Sequence, residues 1–153
     1  MPRYTPDPSK VSASIEILEK DDYEFTIGDP KSFFRKNRNQ QDSYGIRYPL
    51  VVAEGKKKGT KIFISLYQQS EGAQAMAKQF MIAAYGYPST REGEKDFDSN
   101  TAGSDWGFDT DVGSVGEAWK VPVGKRIIGS LDVGISETGE QQQQFKKWRA
   151  LTA

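Results

Sequence analysis

Apolar and polar positions alternate with a two-residue period in several stretches of the chain, the mark of half-buried strands. The clearest stretch is Lys61–Tyr67: Ile62, Ile64 and Leu66 share one face, and Lys61, Phe63, Ser65 and Tyr67 share the other. Tyr23, Phe25 and Ile27 alternate with Glu24 and Thr26 until Gly28-Asp29-Pro30 interrupts them, as a turn or as a bulge where the strand bends. Tyr44, Ile46, Tyr48, Leu50 and Val52 fall opposite Gly45, Arg47, Pro49 and Val51, and Pro49 suggests an edge or a bulge. Ile127, Gly129, Leu131, Val133 and Ile135 alternate with Ile128, Ser130, Asp132 and Gly134. The closing stretch puts Gln142, Gln144, Lys146 and Trp148 on one face and Gln143, Phe145, Lys147 and Arg149 on the other. Between 70 and 85 the period becomes helical, with Ala73, Ala77, Phe80, Met81 and Ala84 in one stripe and Gly86 as the stop. Val11–Leu18 fits a short helix or a strand.

The order is three strands, a helix, a long loop and two more strands. It predicts a mainly β fold: a five-stranded OB-fold barrel with one helix between strands three and four. Residues 1–10, with three prolines, read as a flexible arm, and 11–153 as one domain. From about 88 to 116 the chain is rich in Gly, Ser, Asp, Asn and Thr without usable period, and reads as a long acidic loop. Trp119 is the anchor of the hydrophobic return that follows it.

Charge changes this picture. The 153 residues carry 21 basic and 21 acidic side chains, but these are segregated. Between Lys31 and Lys61 nine basic residues against two acids leave +7; between Glu92 and Glu117 eight acids against one lysine leave −7. The acidic segment reads as a mobile regulator of the basic surface, with Trp106 and Phe108 able to occupy base-stacking positions, or as a solvated loop, or as a partner contact. Cysteine and histidine are absent, which excludes disulfides, thiolate catalysis, the usual zinc sites and a Ser-His-Asp relay. Asp109-Thr110-Asp111-Val112-Gly113 lacks the ligand pattern of an EF-hand, and the acids from Asp96 to Asp111 lack the scaffold a magnesium nuclease needs. No enzyme activity, metal or cofactor is expected. No apolar run is long enough to cross a membrane, and a cytoplasmic protein is expected.

Cations interleaved with aromatics on strands are suited to single-stranded nucleic acid: rings stack on bases, and Lys and Arg neutralise phosphates. The expected DNA-binding residues are Lys31, Phe34, Arg35, Lys36, Arg38, Arg47, Lys57, Lys58, Lys61, Phe63, Tyr67, Lys125, Arg126, Lys147, Trp148 and Arg149. Phe33, Tyr44 and Tyr48 are further aromatic candidates, the two tyrosines ranked lower because they share a face with Ile46 and Leu50. The competing readings are a strand buried on both sides and a structural or protein-interaction module that uses the acidic segment and has no DNA affinity.

Several segments resemble the phage single-stranded DNA-binding proteins. They are Tyr23-Glu24-Phe25-Thr26-Ile27 after an acidic turn, Lys57-Lys58-Gly59-Thr60-Lys61-Ile62-Phe63, and the helix ending Ala84-Tyr85-Gly86. Val123-Gly124-Lys125-Arg126-Ile127-Ile128-Gly129-Ser130-Leu131-Asp132-Val133 and a last strand with Lys146-Lys147-Trp148 complete the set. The resemblance runs from about Asp21 to Leu151. It implies an OB-fold that coats single-stranded DNA in phage replication or recombination, in the host cytoplasm, alongside other proteins of those processes. The chain departs from many such binders in ending Arg149-Ala150-Leu151-Thr152-Ala153 rather than in acids. The internal acidic segment is the expected substitute for that tail.

Overall fold

A computed structural model describes residues 21–36, 42–135 and 141–151, with the side chains of 132–135 and 141–144 left aside. The expected arm, the segment Val11–Leu18 and Arg38 lie outside the described residues. The chain is mainly β. Strands β1 (Asp21–Ile27), β2 (Lys31–Lys36), β3 (Asp42–Val52), β4 (Lys61–Tyr67), β7 (Arg126–Ile135) and β8 (Gln141–Ala150) form one antiparallel sheet. β5 (Phe108–Asp109) and β6 (Ser114–Val115) form a separate small hairpin. Helices α1 (Glu71–Ala84), α2 (Arg91–Asn100) and α3 (Glu117–Lys120) complete the fold.

The sheet runs β2-β3-β1-β7-β8, with β4 on the other edge of β3, and curls strongly into a half-barrel. β1 and β2 both pair with β3, Ile27 opposite Leu50 and Lys31 opposite Arg47, so they are one expected strand bent at Gly28-Asp29-Pro30. Counted that way the large sheet has five strands. Pro49 sits opposite the bend. The Gly28 N–H donates to Pro49 O at 2.8 Å, so the missing Pro49 donor also faces the break, where no ladder bond is lost.

The inner face carries the core. Phe25, Ile27, Ile46, Tyr48, Leu50, Val52, Ile127 and Leu131 are buried against Phe80, Met81 and Ala84 of α1. On β4 the expected faces hold: Ile62, Ile64 and Leu66 are buried, and Lys61, Phe63 and Tyr67 are exposed. Ser70 caps α1 by accepting from the Ala73 N–H at 3.1 Å, and Gly86, at φ 95°, ends it. Buried Tyr48 donates to the Trp119 carbonyl, and burial pushes its hydroxyl pKa up.

Two expectations are corrected here. Among the described residues the expected single helix is one of three; α1 follows β4, which is the third strand when β1 and β2 are counted as one. The long acidic loop is a folded lobe. Thr90 caps α2 by accepting from the Gly93 N–H at 3.1 Å, and Glu92 and Glu94 in the first turn suit the helix dipole. Buried Phe97 packs on Tyr85, Tyr87 and Trp106, and Trp106 lies edge-on to Trp119 at 4.9 Å. Lys78 of α1 clasps Glu94 at 3.1 Å and Asp98 at 3.0 Å. The hydrogen bond to Asp98 leads in raising the Lys78 pKa, and Glu94 adds to it.

Candidate nucleic-acid interface

Directly opposed residues in an antiparallel ladder share a face. The register therefore collects Lys31, Phe33 and Arg35 of β2, Gly45 and Arg47 of β3, and Lys61, Phe63, Ser65 and Tyr67 of β4 on the outer face. Gly45 lies between Phe33 and Tyr67 and has no side chain to separate them. The two rings meet across it, edge to face, with centroids 5.5 Å apart. A Cβ at Gly45 would come within 2.1 Å of Leu66 O, so the close approach requires glycine.

Arg47 holds the row together. Its guanidinium carbon is 5.5 Å from the Phe33 centroid and 5.8 Å from that of Phe63, and its Nε donates to Ser65 Oγ at 3.5 Å. Lys61 Nζ is 5.3 Å from the Phe63 ring. These contacts join Tyr67, Phe33, Arg47, Phe63 and Lys61 into one continuous strip. Phe63 is 53% and Tyr67 36% exposed, so both rings are open to a ligand. Among the described residues, Lys31, Arg35, Arg47 and Lys61 make no ion pair.

On the other half of the outer face the two arginines are paired with carboxylates. Arg126 bridges Glu24 at 3.1 Å and Glu54 at 3.2 Å, with the Glu24 bond the larger cause of its raised pKa. Arg149 reaches Asp22 at 3.4 Å, and the Ser130 hydroxyl donates to the same carboxylate. Arg126 and Arg149 thus have carboxylate partners of their own, and both stand apart from the aromatic strip. Lys147 is exposed opposite Ser130 on this half. Lys125, beyond the Gly124 turn, lies 5.8 Å from the Tyr85 ring and is likewise separate. Lys57 and Lys58 are exposed at the β3–β4 turn, next along the chain to Lys61, and Lys57 shares a hollow with Asp21, Asp22, Glu24 and Glu54.

Three aromatic expectations change. Phe34 is 53% exposed but pairs with Tyr44, so its side chain belongs to the opposite face from Phe63; Lys36, opposite Asp42, follows it. Phe33 takes its place in the strip, because it lies opposite Gly45, which is itself opposite Tyr67. Trp148 is a wall of the core. It pairs with Gly129, where a Cβ would meet its Cζ3 at 2.5 Å, and packs on Phe80 at 4.9 Å and Phe145 at 4.7 Å. Phe145 and Trp148 share a face despite opposite parity because the ladder passes from Lys147 to Phe145 as its partner steps from Ser130 to Leu131. Lys146 is the extra residue of a bulge.

Trp106 and Phe108 are not loose stackers: the Trp119 indole N–H donates to Trp106 O at 2.7 Å, and Phe108 packs on Tyr44. Asp105 and Asp109 each accept from a backbone N–H two residues on. No acid of the lobe pairs with a cation from Lys31–Lys61 among the described residues. Neither do three His, Cys, Asp or Glu side chains there form a group able to hold a metal ion, and no described helix is long and apolar enough to cross a membrane.

No protein-family model matches the chain, and no curated protein matches it.

Proposed function

We propose that this protein binds single-stranded DNA without sequence preference, laying it across the outer face of β2, β3 and β4. The observation that carries this reading is the strip Tyr67–Phe33–Arg47–Phe63–Lys61, in which the exposed rings of Tyr67 and Phe63 and the half-buried ring of Phe33 stand beside cations that make no ion pair among the described residues. Every base has a π-face, so stacking on Phe63 and Tyr67 tolerates any sequence and contributes about 1–3 kcal/mol per base. Duplex DNA hides those faces inside its stack. Cations beside the rings supply the phosphate contacts, and Arg47 can do both, since its planar guanidinium stacks and donates.

We read the half-barrel as an OB-fold with a bent first strand. The pairings β1–β3, β3–β4, β1–β7 and β7–β8 match that order, and the helix precedes the last two strands. Coating single strands in phage replication or recombination is the setting that the resemblance implies.

The test is fluorescence anisotropy with labelled oligo-dT and a duplex of equal length. Tight binding to oligo-dT and much weaker binding to duplex is expected. With four cations engaged, each contributing about −0.7, the log–log salt slope should be near −3. Equal affinity for duplex, or no affinity for either, defeats the reading.

A further inference from the structure

β4 is an edge. Among the described residues it pairs only with β3, and its far side borders a groove of about 430 Å³ floored by α1 and walled by β8. The groove is lined by Ser65 and Tyr67 of β4, Ala73 and Met76 of α1, and Phe145 and Trp148 of β8. Met76 is 70% exposed, an unusual position for a long apolar side chain on a helix whose other large apolar residues are buried.

The ladder fixes what β4 offers to this groove. The Gln68 N–H donates to Tyr44 O and Thr60 O accepts from the Val52 N–H, so even-numbered residues of the strand direct their backbone groups to β3. The backbone N–H and C=O of Phe63, Ser65 and Tyr67 therefore face the open edge. The groove combines apolar walls, a flexible thioether and a row of backbone donors and acceptors. Ser65 and Tyr67 belong to the groove and to the cationic strip at once, so the two are continuous.

We propose that this groove is a second subsite for the same strand of DNA. On this inference, which rests on the single-strand reading, a strand leaving the strip at Tyr67 turns over the β4 edge and lodges an unstacked base between Met76, Phe145 and Trp148. The edge amides of β4 meet its polar rim. Continuity at Tyr67 with the strip, whose Arg47 and Lys61 make no ion pair among the described residues, favours nucleic acid over an extended peptide as the occupant. A pocket of this volume is within the range of small-ligand sites. Methionine adapts to any of the four bases, which keeps the subsite sequence-tolerant.

The experiment compares oligo-dT of about four and about twelve nucleotides, lengths that span the site sizes of such folds. It uses the full chain and its M76E variant, whose substitution lies on an exposed position and spares the core. The strip alone accommodates the short oligonucleotide. The long one should also quench Trp148 emission, assigned by its loss in W148F, because Trp106 and Trp119 lie in the lobe. M76E should weaken the long oligonucleotide about tenfold, abolish the quench and leave the short one within about twofold. Long-oligonucleotide binding that is unchanged by M76E and does not quench Trp148 overturns the subsite while the single-strand reading stands. A peptide-binding groove gives that same result. Failure of both oligonucleotides to bind the wild-type chain overturns both readings.

Discussion

Phe33 and Phe34 are neighbours in the chain and face opposite ways, and which of them meets a ligand is decided by one pairing. Phe33 lies across from Gly45 and touches Tyr67; Phe34 lies across from Tyr44. Phe33→Ala, Phe63→Ala and Tyr67→Ala should each weaken oligo-dT binding by about 1–3 kcal/mol, and Phe34→Ala should leave it unchanged. Anisotropy titrations paired with thermal melts check this. Phe63 and Tyr67 are exposed, so a melt lowered by the equivalent of about 3–5 kcal/mol, the cost of truncating a buried ring, would show that the face has been misassigned.

At the scale of elements, β2 carries part of the site on an edge that the β5–β6 hairpin covers. The Ser32 N–H donates to Gly113 O at 3.2 Å, and its hydroxyl is shared between Asp109 O at 2.8 Å and Ser114 O at 3.0 Å. A covered edge is protected from pairing with other chains, and it keeps β2 in place with Lys31 opposite Arg47 and Phe33 opposite Gly45. Ser32→Ala should cost about 1–3 kcal/mol, because it leaves partly buried carbonyls without their donor. Hydrogen exchange should locate the loosening at the Ser32 amide and around Gly113. Protection at these amides equal to wild type would mean that the hairpin is held by other contacts.

For the molecule as a whole, the acidic lobe is a structural partner of α1. Phe97, Trp106 and Trp119 pack together with Tyr85, whose hydroxyl pKa burial pushes up to about 12. Replacing Gly93–Gly113 by a short Gly-Ser linker removes Phe97 and Trp106 from that cluster and strips the cover from Trp119. The expected outcome is a marked fall in thermal stability, several kcal/mol by the usual cost of losing large core side chains, with no gain in oligo-dT affinity. Tighter binding by a chain that still folds would instead restore the idea of an acidic segment competing for the basic face.

The strand periods of Lys61–Tyr67 and Tyr44–Val52, the helix over 70–85 and the core role of Trp119 were legible in the chain because each element carries its own alternation or apolar stripe. The core face of β4 followed from period alone; the exposure of Phe63 and Tyr67 did not, because a strand buried on both sides shows the same alternation. Helix α2 was not legible by period, since Phe97 is the one large apolar residue in Arg91–Asn100. Its signal was the cap, Thr90 followed by Glu92 and Glu94. Three further features depended on pairing between distant strands. The bulge at Lys146 turned Trp148 inward, the pairing of Phe33 with Gly45 chose between two adjacent phenylalanines, and the carboxylates of β1 neutralised Arg126 and Arg149 but not Arg47. A local period specifies which residues share a face. Which strands lie side by side, and therefore which charges cancel and which rings meet, is a long-range property that only the folded sheet decides.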